Sequence, residues 1–347
     1  MLSAAKANFE KARSLFVSLG DFKADDKAFL LEQWSLYYSL ARVYAQDSDP
    51  RWKENMIRAA QVAEQRARLK GASPGARSLA ASMPGELAYM IHRHGGQTSE
   101  AEIEIEKSIS AMESLVREFP RDRTLRHNLG GIYQRAGEIL SDNGGSGQGA
   151  SRALELQRKA LAIHVALVEE FPENHAYRGS VAENRVFLAR ILAMKGQFGE
   201  AQDEIDNALA AQRALFAADP NNATAQMEIV QTLFTATRIA EHAGNFSQAI
   251  IRGREGLAQF GSLPGEVQKT REGRGLLAGS QAFLGLALLG TASKPGSHPV
   301  SHDALRNEGC ALLRKAKQFN EEVRAAKSMV VDESDAAELE QGLTQCS

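Results

Sequence analysis

The sequence predicts an all-helical fold, built as an array of antiparallel helix pairs. Apolar residues recur at intervals of three and four along nearly the whole chain, and no run alternates as a strand would. Similar segments also repeat about every 48 residues and end at Pro120, Pro172 and Pro220. An alanine stands nineteen residues before each proline, and a glycine stands twenty-four residues after it. A fixed period of this length is typical of a stacked repeat array.

The predicted helices follow one another with short breaks between them. Clusters of glycine, proline, serine and aspartate mark the breaks, as at Asp47–Pro50, Gly71–Pro74 and Gly261–Pro264. Pro84 falls inside the fourth helix and is expected to kink or split it. The predicted helices span residues 2–19, 25–46, 50–69, 76–94, 99–118, 122–142, 150–170, 174–195, 199–217, 222–243, 247–260, 265–291, 303–326 and 333–345.

No linker of disordered composition interrupts this pattern, so we predict a single α-solenoid over residues 1–347. Within it, residues 1–95 form divergent N-terminal helices, and residues 96–260 carry the regular repeats. Residues 261–347 form a last repeat with capping helices. The first repeat interval is 52 residues, four more than the second, because of a glycine-rich loop over residues 142–151.

The regular units resemble the second half of a tetratricopeptide repeat (TPR). A turn glycine is followed two residues later by phenylalanine and three residues after that by alanine, in Gly196-Gln-Phe-Gly-Glu-Ala201 and in Gly244-Asn-Phe-Ser-Gln-Ala249. The glycine permits a left-handed turn, and the alanine suits a place where two helix backbones touch. The residues expected to be buried at equivalent helix contacts are Ala101, Ala153, Ala201 and Ala249.

The units differ from a TPR in their length. A TPR has about 34 residues, whereas this unit has 48, so each of its two helices is seven residues longer. Seven residues are close to two helical turns, which keeps the apolar stripe on the same face. The resemblance therefore implies an all-α, TPR-like superhelical array of antiparallel helix pairs with elongated repeats.

The two ends of the chain resemble a repeat region that follows the membrane helix in some bacterial serine/threonine kinases. The matching segments are Ala5–Arg13 at the start and Gly309–Leu313, Asp335–Leu339 and Cys346 at the end. Residues 14–95 match this region poorly, and the sequence contains no HRD or DFG kinase motif. The resemblance implies that the chain is the non-catalytic part of such a kinase, or a relative of it.

Composition and motifs favour a protein that is not an enzyme. The net charge is −2 with no basic stripe, which argues against nucleic-acid binding. The sequence has no HExxH motif, and we expect no cofactor or metal site. The uncharged residues between Arg274 and Lys294 reach the length of a membrane span, but their glycines and polar side chains favour a buried helix. We therefore expect no membrane span.

The two cysteines lie in the last two predicted helices, which are expected to form an antiparallel hairpin. Cys310 lies eighteen residues before the hairpin's midpoint near Ser328, and Cys346 lies eighteen residues after it. This spacing predicts that their Cα atoms lie within about 7 Å, the reach of a disulfide. Two interpretations stay open, a pair of small buried thiols and a disulfide staple. A disulfide would indicate an oxidising compartment.

Stacked helical hairpins place the first helix of each pair along a concave groove. We expect a protein–protein interaction scaffold or sensor module that binds a protein or peptide partner there. The alternative is an all-helical enzyme or small-ligand-binding protein. The TPR alignment assigns to the groove Gln134, Glu138, Glu183, Val186, Arg190, Gln231, Phe234, Arg238 and Glu241.

The expected compartment depends on the extent of the protein. It is cytoplasmic if the chain is complete, and extracytoplasmic if the chain is the C-terminal part of a membrane-anchored kinase.

Overall fold

The computed structural model describes residues 2–19, 25–94, 96–144, 148–294, 301–325 and 333–346. Over these residues every regular element is an α-helix, which confirms the all-α, TPR-like fold of antiparallel helix pairs. In chain order the helices are α1 (Leu2–Leu19), α2 (Lys27–Gln46), α3 (Arg51–Arg68), α4 (Pro74–Arg93), α5 (Thr98–Glu118), α6 (Arg123–Gly144), α7 (Gln148–Glu170), α8 (His175–Met194), α9 (Phe198–Ala218), α10 (Ala223–His242), α11 (Phe246–Gly261), α12 (Gly265–Gln268), α13 (Arg271–Ala292), α14 (His302–Ala325) and α15 (Glu333–Thr344).

The predicted helix bounds agree with these to within two residues, with one exception. The helix predicted over residues 265–291 is divided into α12 and α13, because Thr270 is extended and its side chain accepts a hydrogen bond from the Gly273 backbone N–H. Gly273 packs closely under α12, where a Cβ would lie 2.4 Å from the Val267 carbonyl oxygen. Pro84 does not split α4, which packs against both α3 and α5.

The chain forms two compact units. The first unit runs from Met1 to Glu173 and the second from Asn174 to Ser347. In the first unit the antiparallel pairs are α2/α3, α4/α5 and α6/α7, and α1 packs on α2. In the second unit the pairs are α8/α9, α10/α11 and α13/α14, and α15 packs on α14 and α13.

The proline period has a physical basis in helix capping. Two residues after each repeat proline stands an aspartate or asparagine, and its side chain accepts hydrogen bonds from the first backbone N–H groups of the next helix. Such a residue satisfies donors that the helix cannot satisfy itself. Proline therefore ends one helix, and the capping residue starts the next. The three capping residues are Asp122, Asn174 and Asn222.

The repeat alanines lie where the alignment predicts. All four have no exposed surface, which confirms that they occupy equivalent helix contacts. The turn glycines Gly196 and Gly244 have φ angles of 74° and 69°, in the left-handed region that a side chain would strain. The repeat pattern therefore predicts both the contacts between helices and the turns that connect them.

The apolar stretch before Lys294 forms most of α13. Among the described residues, α13 is the one helix long and apolar enough to cross a membrane, with a mean hydropathy of 1.5. Half of the residues in that apolar window are buried within the protein. α13 packs against α10, α11 and α14, as expected of a core helix.

Candidate partner-binding faces

In each unit, the first helices of successive pairs carry the candidate binding residues. α4 contacts α6 in the first unit, and α10 contacts α8 and α13 in the second. Because the pairs stack, their first helices share one side of each unit. The first-unit face consists of Trp34, Tyr38, Glu86, Tyr89 and Arg135, and the second-unit face consists of Gln231, Phe234, Arg238 and Glu241.

The first-unit face carries a chain of contacts across α2, α4 and α6. Trp34 and Tyr38 lie one turn apart on α2, and their rings stack with centroids 5.3 Å apart. The Tyr38 hydroxyl donates to Glu86 Oε2 at 3.2 Å, and Arg135 Nη1 donates to Glu86 Oε1 at 2.6 Å. The Arg135 guanidinium lies 5.2 Å from the centroid of the Tyr89 ring. All five side chains stay partly exposed, so a partner can reach them.

The two tyrosines of this face keep their protons at neutral pH. Burial raises the pKa of Tyr38, and the neighbouring Glu86 carboxylate raises it further. Burial also raises the pKa of Tyr89, and the charge of Glu138 adds to the shift. Both rings therefore offer a flat apolar surface with a hydroxyl at the edge. Side chains of this kind are enriched at protein interfaces.

Of the two groove residues predicted in this unit, Glu138 is partly exposed and Gln134 is buried. The Gln134 backbone oxygen accepts a hydrogen bond from Gln157 Nε2 of α7 at 2.7 Å, so α7 packs closely against α6 at this point. Arg135 is turned about 100° from it and lies on the first-unit face. Arg135 is therefore a further candidate residue beside the predicted Glu138.

Sequence reasoning missed the aromatic residues of this face because residues 1–95 lack the repeat pattern. A signal was nevertheless present. Trp34 and Tyr38 stand four residues apart on an amphipathic helix, in a chain that is only 6% aromatic. Aromatic side chains at this spacing lie on the same helix face. A search for paired aromatics on first helices would have found them.

In the second unit, the predicted residues of α8 lie at the surface. Glu183 is exposed, and Val186 and Arg190 are partly exposed. The Arg190 guanidinium lies 5.5 Å from the Phe187 ring centroid. Burial raises the pKa of Glu228 on α10, and the Glu183 carboxylate adds to that shift. α8 and α10 thus present two nearby carboxylates at this edge.

The second-unit face is contacted by helices that follow it in the chain. Gln231 Nε2 donates to a carboxylate of α13 at 3.2 Å. The Phe234 ring lies 5.6 Å from the ring of Phe283, also on α13. Arg238 Nη1 pairs with Asp335 Oδ1 of α15 at 3.3 Å. The α10 residues predicted to meet a partner therefore meet the protein's own C-terminal helices.

α15 is seated on α13 and α14 by close apolar contacts. Ala336 and Leu339 are buried. Gly342 lies so near α13 that a Cβ would come within 2.5 Å of Leu286 Cδ2 and 3.0 Å of Leu313 Cδ1 of α14. This helix is therefore packed as part of the unit and not merely appended to it.

A disulfide fixes the end of α15 to α14. Cys310 bonds to Cys346, and their Cα atoms are 5.7 Å apart, within the distance that the hairpin geometry predicts. The expected hairpin midpoint at Ser328 lies outside the described residues. On the same side, Lys317 Nζ of α14 pairs with Glu340 Oε2 at 2.9 Å. Of the two interpretations open from the sequence, the structure contains the disulfide.

A further cluster, the Glu–His–Glu cluster, joins α10 to α15. Glu241 and His242 are at the end of α10, and Glu338 is on α15. His242 Nε2 lies 3.0 Å from Glu338 Oε2 and 3.8 Å from Glu241 Oε2. The cluster borders a cavity of about 470 Å³. Burial raises the pKa of Glu241, the charge of His242 opposes this, and the charge of Glu338 reinforces it.

Solved structures share this fold. BtubC (BKLC) from P. vanneervenii matches with a TM-score of 0.53 and 16% identity, over 76% of this chain and 92% of that one. The apo form of RapI matches with a TM-score of 0.52 and 13% identity, over 90% of this chain and 96% of that one. No protein-family model matches the sequence, and no curated protein sequence matches it. At these identities the likeness concerns the fold alone.

Proposed function

We propose that this protein is a non-enzymatic interaction scaffold, which binds a protein or peptide partner on the first helices of its repeat pairs. The observation that carries the proposal is the first-unit face. Trp34, Tyr38 and Tyr89 are partly exposed on two neighbouring first helices, and Arg135 follows on the third. Tryptophan, tyrosine and arginine are the residues that dominate binding energy at protein interfaces.

The chemistry of this face fits a peptide with one or two large apolar side chains and both signs of charge. The rings supply flat apolar area at low conformational cost. Glu86 already accepts hydrogen bonds from Tyr38 and Arg135, so it holds these two side chains in place across three helices. A preformed surface of this kind loses little side-chain entropy on binding. A polyanion such as nucleic acid would find no excess of positive charge here, since the net charge is −2.

Intrinsic fluorescence tests the proposal, because the chain has two tryptophans in different places. Trp34 lies on the first-unit face, whereas Trp52 is buried between helices at 8% exposure. Peptides selected by display on the purified full-length chain supply the ligand. We expect a selected peptide to change the emission of the wild type and of Trp52→Phe, but not that of Trp34→Phe.

Affinity measurements on matched variants complete this test. Tyr89→Ala and Arg135→Ala should each weaken peptide binding by about tenfold or more, as loss of an interface anchor does. Arg117→Ala is the control, since Arg117 is exposed on α5, the second helix of its pair. Selected peptides that bind these variants as tightly as the wild type would place the site elsewhere.

The finer proposal is that this scaffold is the sensor part of a bacterial serine/threonine kinase and lies outside the cytoplasm. The resemblance of the two chain ends to such a region supports it, and so does the Cys310–Cys346 disulfide, since disulfides persist in oxidising compartments. Alkylation of the protein in intact cells tests this. Blocked thiols without reductant are expected; two freely alkylated thiols would contradict an extracytoplasmic location.

A further inference from the structure

We infer that Glu241, His242 and Glu338 form a binding site for a transition-metal cation of the Zn²⁺ class, which bridges α10 and α15. One nitrogen and two carboxylate oxygens from these residues all lie within 4.8 Å of one another. Zinc takes N and O ligands at about 2.0–2.2 Å, so a tetrahedral site places neighbouring ligand atoms roughly 3.3–3.6 Å apart. The two distances from His242 Nε2, 3.0 Å and 3.8 Å, bracket that range.

The charges around the cluster favour a bound cation. The Glu241 side chain is only 18% exposed. Among the described residues, its carboxylate receives no hydrogen bond, and its one ion-pair partner is His242 at 3.8 Å. A carboxylate on a largely buried side chain, with no protein donor, is solvated less well than one on the open surface. A divalent cation would satisfy this carboxylate and that of Glu338 together, and would balance both charges.

The nearest lysine of the cavity does not supply this charge. Lys294 lines the same cavity, but its Nζ lies 4.4 Å from the Phe246 ring centroid and donates to the Gly244 backbone oxygen at 3.3 Å. Two other features favour a cation here. His242 is the last residue of α10, where the helix dipole is negative. The adjoining cavity of about 470 Å³ leaves room for water as a fourth ligand.

A metal at this position would act as a second tether for the C-terminal helix. The disulfide holds the end of α15 to α14, whereas the cluster holds its middle to α10. The Arg238–Asp335 pair lies one helical turn from the cluster on both helices, so a metal in the cluster would also hold this pair in place. Metal binding would therefore strengthen the attachment of α15 to the last turns of α10. This inference does not depend on the proposed function of the first-unit face.

Calorimetric titration of the full-length, oxidised, EDTA-treated protein with ZnCl₂ tests the site. We expect one equivalent of Zn²⁺ per chain. His242→Ala and Glu338→Gln should each weaken binding by tenfold or more. The matched control is Glu340→Gln, because Glu340 lies two residues further along α15 and pairs with Lys317 instead. Its affinity for zinc should equal that of the wild type.

Two further measurements separate a real site from a folding effect. Co²⁺ in place of Zn²⁺ should give the visible absorption of a tetrahedral N/O site, and Glu338→Gln should remove it while the far-UV circular dichroism stays unchanged. Zinc should also slow amide hydrogen exchange in α15 and in the last turn of α10. Absence of saturable zinc binding by the wild type would overturn the inference. So would zinc binding that survives both ligand substitutions, or unchanged exchange in α15.

Discussion

The two units use the first helices of their repeat pairs in different ways. In the first unit, Trp34, Tyr38 and Tyr89 are held by neighbouring side chains and stay partly exposed. In the second unit, Arg238 is paired with Asp335 of α15. The first helix of a pair can therefore keep a partly exposed face or form ion pairs with a later helix of the chain. The difference arises from α15, whose Asp335 and Glu338 reach Arg238 and His242 of α10.

The largest expected effect is a loss of stability in the second unit alone when the disulfide is removed. Replacing Cys310 and Cys346 with alanine should destabilise the second unit by about 3–4 kcal/mol, because the bond closes a loop between residues separated by 36 positions. Hydrogen exchange during urea titration measures each unit separately. The first unit should be unaffected. Equal losses in both units would show that the two do not unfold independently.

Overpacking should affect both units equally. Ala153 in the first unit and Ala201 in the second are both fully buried at equivalent helix contacts. A leucine at either position has no room and should destabilise its unit by about 1–3 kcal/mol. Urea denaturation of Ala153→Leu and Ala201→Leu checks this. Ala210→Leu, at an exposed position of α9, is the control, and its stability should match that of the wild type.

A charge reversal tests whether the Arg238–Asp335 ion pair holds α15 to α10. Arg238→Glu should loosen α15 by repelling Asp335, and Asp335→Arg in the same chain should restore the docking. The pair is partly exposed, so its coupling energy should be about 0.5–1 kcal/mol. Hydrogen exchange in α15 is the readout.

Arg190 provides the matched comparison. It occupies the equivalent position on α8, where its guanidinium lies near the Phe187 ring. Arg190→Glu should leave α15 protected. If Arg190→Glu weakens peptide binding while Arg238→Glu does not, α8 belongs to the partner site and α10 does not. Faster exchange in α15 for both variants would contradict the distinction between the two helices.

The smallest expected effect is a dependence on pH in the first unit. Burial lowers the pKa of His127, and the electrostatic interaction with His164 lowers it further. The folded state therefore resists protonation of His127, whereas the unfolded chain accepts a proton near pH 6.5. Stability should be complete above that pH and should fall as the pH drops below it.

Urea midpoints between pH 7.5 and pH 5 measure this dependence. His127→Asn should flatten the dependence in the first unit, because the substitution removes the titrating group. His175→Asn, at an exposed position in the second unit, is the control and should leave the dependence unchanged. A pH profile that is the same in His127→Asn and in the wild type would assign the effect to other groups.

Much of the fold could be predicted from local pattern. The prolines, the alanines and the turn glycines each act within one helix pair, so the sequence around them contains the whole cause. The division of α12 from α13 was missed because Thr270, the N-cap residue of α13, lies between Lys269 and Arg271 and not in a cluster of glycine, proline, serine and aspartate. The burial of Gln134 was missed because the alignment does not resolve one residue of helix rotation.

The binding faces could be predicted only in part. Position on a first helix follows from the repeat, but exposure depends on contacts between distant segments. Glu338 lies nearly one hundred residues after Glu241, and no local pattern indicates that α15 returns to α10. The cysteines were the exception. Their symmetric spacing about a predicted turn was sufficient to place Cys310 beside Cys346.

Any other ligand of α10 would have to compete with α15 for the same residues. Only residues 326–332 connect α14 to α15, so a released α15 stays at an effective concentration in the millimolar range. The disulfide shortens the tether further, because it holds the other end of the helix. A free peptide would have to displace a helix that stays attached to the protein at both of its ends. Reduction of the disulfide would lower the effective concentration of α15, with which the peptide competes. The affinity of α10 for such a peptide would therefore depend on the thiol redox potential around the protein.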